Sequence, residues 1–220
     1  MGKEINLLNE YPQLNRDVDA RAEEVTDGDK RIARQFGREF FDGPRIQGYG
    51  GYRYDGRWVK VVKRFIETYR LTPASSVLDV GCAKGFMLHD FRAVIPGITV
   101  AGIDISEYAI ENAMDDVRPF VQVADAKKLP FPDRSFDLII SITTLHNLPL
   151  EECKQAFREV QRVKKPLGHA FITVDAWRDD IGRDRLQKWV LTALTSMHVD
   201  DWKRLFEETG YTGDYYWFMP

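Results

Sequence analysis

The sequence has few cysteines, no long apolar run and no excess of positive charge. Its two cysteines, Cys82 and Cys153, are too few for a disulfide framework or a cysteine metal cluster. No stretch approaches the roughly 20 consecutive apolar residues of a membrane-spanning helix. A basic start followed by an apolar run and a cleavage site, which would indicate secretion, is also missing. We therefore expect a cytoplasmic protein with no metal and no membrane contact.

The composition is that of one ordinary globular domain, with 44% hydrophobic and 30% charged residues in a chain of 220. The formal net charge of −3 argues against nucleic acid as a partner, because phosphate backbones bind basic surfaces. A small-molecule partner fits this charge better. Both a monomer and a homodimer remain open.

The chain divides into two parts by its hydrophobic periodicity. Residues 1–75 are polar with a helical pattern, interrupted by four glycines between Gly48 and Gly56, and predict a helical cap or lid. From residue 76 to 220, short apolar runs alternate with amphipathic helices, one of them predicted from Leu186 to Met197. This alternation predicts an α/β fold, doubly wound, with a mainly parallel sheet of six or seven strands and helices on both faces.

The most informative motif is Val77-Leu78-Asp79-Val80-Gly81-Cys82-Ala83-Lys84-Gly85, where a predicted strand turns into a helix. A glycine turn lets the backbone approach a ligand closely, although it can also be purely structural. A dinucleotide fingerprint would have G-x-G-x-x-G spacing. Here Asp79 precedes the turn, and its carboxylate would attract an ammonium group and repel a pyrophosphate. The motif therefore favours a cationic ligand over a nicotinamide dinucleotide.

A second acid follows at a spacing that suits a nucleoside. Asp104 ends the next predicted strand about 20 residues after the turn, where a carboxylate can accept hydrogen bonds from both ribose hydroxyls. The alternative is a helix cap, for which Ser106 is the better candidate.

The segment Val77–Gly85 resembles motif I of the class I, Rossmann-like methyltransferases that use S-adenosylmethionine (SAM), with Ala83 in place of the middle glycine. The resemblance implies SAM as cofactor. It also implies that Asp125 meets the adenine amino group, although an Asp in a surface turn is the alternative. The cofactor-binding residues expected from motif and resemblance are Asp79, Gly81, Cys82, Ala83, Gly85, Asp104, Ile105, Asp125, Ala126 and Ser141.

The methyl-transfer site should follow the fourth strand of the sheet, at Ser141 to His146, because ligands of open α/β sheets bind at the carboxyl ends of the strands. His146 is the candidate catalytic base, since an imidazole can take a proton from an attacking hydroxyl. A histidine that only packs or makes structural hydrogen bonds is the alternative.

Two further segments can contact the substrate. Tyr49 and Tyr52 of the glycine-rich region can cover the cofactor or the acceptor, or pack as an aromatic loop on the sheet edge. Arg178, together with Arg183 and Arg185, can hold a phosphate or carboxylate of the acceptor. Equal numbers of acids lie among these arginines, so a solvated, self-paired loop is the alternative.

Together these features predict a SAM-dependent methyltransferase acting on an oxygen or nitrogen of a small polar metabolite. Similarity over the whole chain suggests a sugar or sugar nucleotide of a bacterial surface-polysaccharide pathway. Two other classes stay open: a non-catalytic SAM-binding protein that serves a partner enzyme, and a nicotinamide-dependent oxidoreductase.

Overall fold

The computed structural model describes residues 2–12 and 16–220. The helices of this part of the chain are α1 Val18–Glu24, α2 Asp27–Ala33, α3 Arg38–Asp42, α4 Val59–Tyr69, α5 Phe86–Val94, α6 Glu107–Glu111, α7 Leu150–Val163, α8 Asp180–Trp189 and α9 Val199–Thr209. The strands are β1 Ser76–Val80, β2 Thr99–Asp104, β3 Val121–Val123, β4 Phe136–Ile142, β5 Lys164–Trp177, β6 Met197–His198 and β7 Asp214–Phe218. No helix of the described ranges has both the length and the apolar character that crossing a membrane requires.

The strands form one sheet in the order β3-β2-β1-β4-β5, and both β6 and β7 pair with β5. Strand β7 runs along Phe171–Asp175, whereas β6 pairs only with Ala176 and Trp177. All of these pairings are parallel in the described residues. The predicted doubly wound α/β fold is thereby confirmed, with seven strands.

Side chains of the central strands alternate between two hydrophobic clusters, one on each face of the sheet. Leu78 of β1 packs with α7 and α9, whereas its neighbour Val77 packs with α4 and α5. Ile139 and Leu138 of β4 divide in the same way. Because successive side chains of a strand point to opposite faces, a strand covered on both sides must be apolar throughout, as these are.

The N-terminal region contributes to both the sheet layer and a cap. Helix α4 packs on the sheet together with α5, and its Val61, Val62 and Phe65 are fully buried. The predicted boundary at residue 75 therefore separates α4 from the layer to which it belongs. We use the name cap for residues 16–58, which contain α1, α2 and α3 and lie over the carboxyl edge of the sheet.

Two local predictions differ from the structure. The helix expected from Leu186 to Met197 ends at Trp189, and the amides of Leu194 and Thr195 donate to the carbonyl oxygen of His146. The tertiary contact replaces the helical hydrogen bonds that periodicity alone favoured. In contrast, residues 180–185 are helical where a loop was the expectation, because the helix Asp180–Trp189 starts earlier, with Asp179 as N-cap.

Candidate active site

A large cavity opens at the carboxyl edge of the sheet, between the loops that follow β1, β2, β4 and β5 and the cap. Its volume is about 1350 Å³. Pockets for one small ligand have volumes of roughly 300–1,000 Å³. The cavity therefore has room for two small molecules side by side, as a group-transfer reaction requires.

The glycines of the predicted ligand turn have different roles. Gly81 has φ +87°, lines the cavity, and leaves room for the side chain of Thr144, which any Cβ at this position would overlap. Gly85 has φ +75° and starts α5, where a Cβ would lie 2.7 Å from Val117. Gly81 therefore shapes the cavity wall, whereas Gly85 serves the packing of the turn beneath it.

The backbone amides of the turn are committed to the neighbouring strand. Those of Gly81 and Cys82 both donate to the carbonyl oxygen of Ile103, at 2.8 and 2.9 Å. The amide of Ala83 donates to Oδ2 of Asp104 at 2.8 Å. A phosphate-binding turn needs such amides directed at its ligand. This turn therefore lacks the donor pattern for a pyrophosphate.

Cys82 and Ala83 fill the remaining positions of the turn. Both are buried and line the cavity. The Cys82 side chain packs on Gly102 of β2, and burial raises the pKa of its thiol well above the usual range, so it is no nucleophile. Ala83 has φ +49°, the left-handed conformation in which the family motif has glycine.

Asp79 lies at the bottom of the cavity without a compensating charge. It is only 4% exposed, and its carboxylate makes no hydrogen bond or ion pair within the described residues. Burial and then the nearby charge of Asp104 raise its pKa to about 7. Asp104 also lines the cavity and accepts hydrogen bonds from the amides of Ala83 and Ser106. We call Asp79 and Asp104 the acidic end of the cavity.

An apolar surface continues beside the acidic end. Ile105 is 55% exposed although it belongs to the cavity wall, and Ala126 lies on the same wall. Asp125 accepts hydrogen bonds from the amide of Lys127 and lies 3.3 Å from its Nζ. Asp125 thus lies in a turn on the cavity wall, and its contact with the adenine amino group stays a prediction.

Ser141 does not line the cavity. It is fully buried in β4, and its hydroxyl donates to the carbonyl oxygen of Val80 at 2.9 Å. This bond joins β4 to the end of β1 immediately before the turn. The structure therefore places Ser141 behind the site, as a link between the two strands that carry it.

His146 is buried beside Asp175, at the ends of β4 and β5. Its Nδ1 accepts a hydrogen bond from the Asp175 amide at 3.2 Å, and its Nε2 lies 3.5 Å from the Asp175 carboxylate. Burial lowers the pKa of His146 despite that carboxylate, and burial raises the pKa of Asp175. The imidazole is therefore neutral, with its proton on Nε2 and no free lone pair for a substrate.

A hydrogen-bond network closes the cap onto the turn. Oδ2 of Asp42 in α3 accepts from Nζ of Lys84 at 2.6 Å and from the hydroxyl of Tyr108 at 2.7 Å. Its Oδ1 accepts from the amide of Tyr52, and Lys84 also donates to the Tyr52 carbonyl. Asp42 and Lys84, which the sequence analysis did not select, are thus the link between cap and cofactor turn.

Tyr49 and Tyr52 both line the cavity from the cap. Tyr52 stacks on Phe86 of α5 with ring centres 4.7 Å apart, and Tyr49 lies 4.4 Å from Tyr52. The sequence left open whether these tyrosines pack as an aromatic loop or face the ligand site. In the structure they do both, because the packed rings also form part of the cavity wall.

Arg178 lines the cavity but is paired with Glu4. Arg183 pairs with Asp180 and Asp184, and Nε of Arg185 donates to the carbonyl oxygen of Pro220. These arginines follow the self-paired alternative. Within the described residues, five other arginines of the cavity wall make no ion pair: Arg16, Arg21, Arg34, Arg45 and Arg53. None of them was selected from the sequence, because they lie far from any motif.

Comparison with known proteins agrees with this site. Residues 78–172 match the family described as "Methyltransferase domain". A tRNA (carboxymethyluridine(34)-5-O)-methyltransferase of Arabidopsis thaliana is 37% identical over 66% of this chain and 34% of its own length. The methyltransferase GfsG of Streptomyces halstedii is 31% identical over 69% of this chain and 58% of its own length. The chain thus spans about a third to three fifths of these curated relatives.

The fold agrees with a solved structure. A chain of the complex between the Haloferax volcanii Trm112 methyltransferase activator and a methyltransferase superposes with a TM-score of 0.57, at 21% identity, over 90% of this chain and 77% of that chain. Together, the fold, the motif and the family match define a domain with the Rossmann-like fold of class I methyltransferases. Residues 78–172 are therefore a methyltransferase domain by this family match, and the fold is shared with the solved Haloferax volcanii chain.

Proposed function

We propose that this protein transfers the methyl group of SAM to an oxygen or nitrogen of a small polar metabolite. The observation that carries the proposal is the acidic end: the buried carboxylate of Asp79 and the half-buried one of Asp104 line the cavity, and Asp79 has no cation beside it within the described residues. A buried, unpaired charge is costly, so this arrangement suits a ligand that brings a positive charge. The ammonium group of SAM is such a charge.

The residues present fit the cofactor. Asp79 would bind its ammonium group, Asp104 its ribose hydroxyls, and Ile105 and Ala126 would cover its adenine ring. SAM supplies an electrophilic methyl group: the acceptor's lone pair forms the new bond to carbon, the carbon–sulfur electron pair stays on sulfur, and the acceptor proton is released. The chain's residues have to align the acceptor and remove that proton.

Asp175 is the best-placed proton acceptor. It lines the cavity, its carboxylate lies 3.5 Å from Nε2 of His146, and burial raises its pKa above the ordinary Asp value, which makes it a stronger base. His146 then acts as a positioning residue, because its ring contacts both the amide and the carboxylate of Asp175. This assignment replaces the sequence-based hypothesis that His146 is itself the base.

A kinetic comparison tests this assignment. We expect Asp175→Asn to lower kcat by about 10²–10⁴-fold, the usual effect of a general base, without weakening cofactor binding. His146→Gln should have a smaller effect and shift the pH profile of kcat, because the ring tunes Asp175. A larger loss in His146→Gln than in Asp175→Asn would restore His146 as the base.

The acceptor side of the cavity supports a polar substrate. Thr143, Thr144, Asn147 and Thr173 line it at the ends of β4 and β5. Their hydroxyl and amide groups suit an acceptor with several hydroxyls, so we keep a sugar or sugar nucleotide as the narrower hypothesis. A screen of such acceptors with radiolabelled SAM tests it.

The two other classes are less well supported. A nicotinamide dinucleotide would place its pyrophosphate against Asp79, at a turn whose amides donate within the protein. A non-catalytic SAM-binding protein has no need for the acceptor side of a cavity of about 1350 Å³.

Calorimetry separates these classes directly. We expect SAM and its product S-adenosylhomocysteine to bind and NAD not to bind. Asp79→Asn should lower the affinity for both nucleosides at least tenfold, because a charge-assisted hydrogen bond is lost. Glu107→Gln, an exposed acid at the start of α6, is the matched control and should leave both affinities unchanged. Unchanged SAM affinity in Asp79→Asn would overturn the proposal.

A further inference from the structure

Three arginines of the cap converge on the cavity. Arg16 and Arg21 are partly buried, Arg45 is exposed, and all three line the cavity wall. The guanidinium groups of Arg16 and Arg21 lie 5.8 and 4.7 Å from the ring centre of the same residue, Trp189. Burial and then repulsion from Arg45 lower the pKa of both. We call these residues the arginine end of the cavity.

No carboxylate of the described residues lies within ion-pair distance of Arg16, Arg21 or Arg45. The nearest acids of the wall are used elsewhere: Asp17 caps α1, and Glu4 pairs with Arg178. Burial and repulsion from Arg45 lower the pKa of Arg21, and the opposite effect of the Glu24 carboxylate is smaller than either. This contrasts with Arg183, which contacts two acids.

The aromatic rings of Trp189 and Phe218 fix the orientation of two of these arginines. The Arg16 guanidinium lies 4.8 Å from the ring centre of Phe218, and that of Arg21 lies 4.7 Å from Trp189. Nε of Arg21 donates to the Trp189 carbonyl, and Arg45 donates to the carbonyl of Gly48. Stacking and these bonds hold the guanidinium groups, while their other N–H groups have no acceptor in the described chain.

Like charges held together without a counter-charge favour the binding of an anion. A dianionic phosphate matches the cluster better than a single carboxylate, because it has more charge and can accept bidentate hydrogen bonds from more than one guanidinium. The net charge of −3 makes a broad polyanion-binding surface less suitable than one enclosed phosphate.

We propose that the arginine end binds a terminal phosphate of the methyl acceptor, so that the substrate is a phosphorylated small molecule. The inference rests on the proposed function, in which SAM occupies the acidic end and the acceptor lies between SAM and the cap. It assigns to Arg16, Arg21 and Arg45 the role first expected of Arg178.

Three aromatic probes of similar size test the charge preference: phenyl phosphate, benzoate and phenol. Each is titrated calorimetrically into the full chain, with and without saturating S-adenosylhomocysteine. We expect phenyl phosphate to bind at least tenfold more tightly than benzoate or phenol. Arg45→Gln and Arg16→Gln should each lower the affinity for phenyl phosphate severalfold, and the double variant should lower it at least tenfold.

Arg158→Gln is the matched control, because Arg158 is exposed on α7 and does not line the cavity. It should bind phenyl phosphate like the wild type, and thermal unfolding should show that every variant is folded. Equal affinity for phenol and phenyl phosphate, or equal losses in Arg158→Gln and the double variant, would overturn the inference.

Cofactor binding keeps the two proposals separate. If S-adenosylhomocysteine binds and phenyl phosphate does not, the arginine-end inference fails while the proposed function survives. If phenyl phosphate binds and the nucleosides do not, the proposed function fails. A competition experiment tests whether the anion comes from a small molecule. If unfractionated tRNA displaces phenyl phosphate at a much lower concentration than inorganic phosphate does, the inference of a phosphorylated small molecule is wrong.

Discussion

At the acidic end of the cavity, Asp79 and Asp104 lie on adjacent strands of one sheet, joined by a single helical connection, α5. At the arginine end, Arg16, Arg21 and Arg45 come from the cap, and Arg16 and Arg21 stack on Phe218 and Trp189, which lie far along the chain. One end is formed by local sequence on a rigid scaffold. The other exists only when three distant segments meet.

This difference has a functional reason. Related enzymes that share a cofactor can keep one set of sheet-borne residues, whereas the acceptor differs between enzymes and is recognised by appended segments. The network of Asp42 and Lys84 joins the two ends, since it ties the cap to the residue between Ala83 and Gly85. Three experiments can break or sharpen the comparison.

The largest effect should come from pH at the acidic end. Burial raises the pKa of Asp79 to about 7, so below that pH ligand binding must first remove a proton. We expect affinity for S-adenosylhomocysteine to rise nearly tenfold per pH unit below pH 7 and then level off. Calorimetry in buffers of different ionisation enthalpy should detect the released proton.

The same pKa affects stability with a definite sign. Between the ordinary Asp value of 3.8 and about 7, folded Asp79 keeps a proton that the unfolded chain has lost, so stability of the ligand-free protein falls as pH rises through this window. Asp79→Asn should remove both pH effects. Retention of the pH-dependent affinity in Asp79→Asn would assign it to another group.

A second experiment separates the two ends. Asp42→Asn removes the anionic partner of Lys84, whose side chain is 10% exposed, and leaves a nearly buried positive charge unpaired. We expect a loss of about 1–3 kcal/mol in the free energy of unfolding, measured by urea denaturation, together with weaker phenyl phosphate binding.

Adding Lys84→Met to Asp42→Asn provides the control, because it removes the unpaired charge. We expect the double variant to recover part of the lost stability but not the phenyl phosphate affinity, since the cap remains detached from the turn. Full additivity of the two substitutions would show that Asp42 and Lys84 do not interact.

The smallest effect should be confined to the acidic end. Ala83→Gly relieves the left-handed backbone at φ +49°, worth about 1–2 kcal/mol, and costs roughly 0.5–1 kcal/mol in chain entropy. We expect a net gain of about 0.5 kcal/mol in the free energy of unfolding. Phenyl phosphate affinity should stay within twofold of the wild type.

Ala156→Gly in the middle of α7 is the reference substitution for Ala83→Gly. A glycine there should cost about 1 kcal/mol, because the helical backbone gains nothing from its freedom. Changes of the same sign in both variants would show that Ala83 is unstrained.

Most of the sheet could be predicted because its signals are local. The strands β1 and β4 are continuous apolar runs, and helix α7 has apolar residues along one side. These patterns reflect burial on both faces of the sheet and can be read from the order of apolar residues in the sequence. The segment after Trp189 could not be predicted in this way. Its periodicity is helical, but the bonds from Leu194 and Thr195 to His146 come from a contact across the fold.

The cofactor side followed from the sequence in outline, since Asp79, Gly81, Ala83 and Asp104 all lie on the cavity where the motif placed them. Ser141 and Gly85 differed, because a motif gives a position along the chain and not the direction of a side chain. The roles of Asp42, Asp175 and Arg45 required the coordinates, since each depends on a neighbour distant in sequence.

By itself, the amino-acid sequence determined the doubly wound sheet, the glycine turn and the two acids of the cofactor side, because strand periodicity, turn conformation and adjacent strand ends are local properties. The tertiary structure alone decided which polar groups are paired and which are left facing the cavity. Pairing depends on distances between segments that the linear order does not contain, and here it separates the neutralised Arg178 from Arg16, Arg21 and Arg45, which make no ion pair in the described residues.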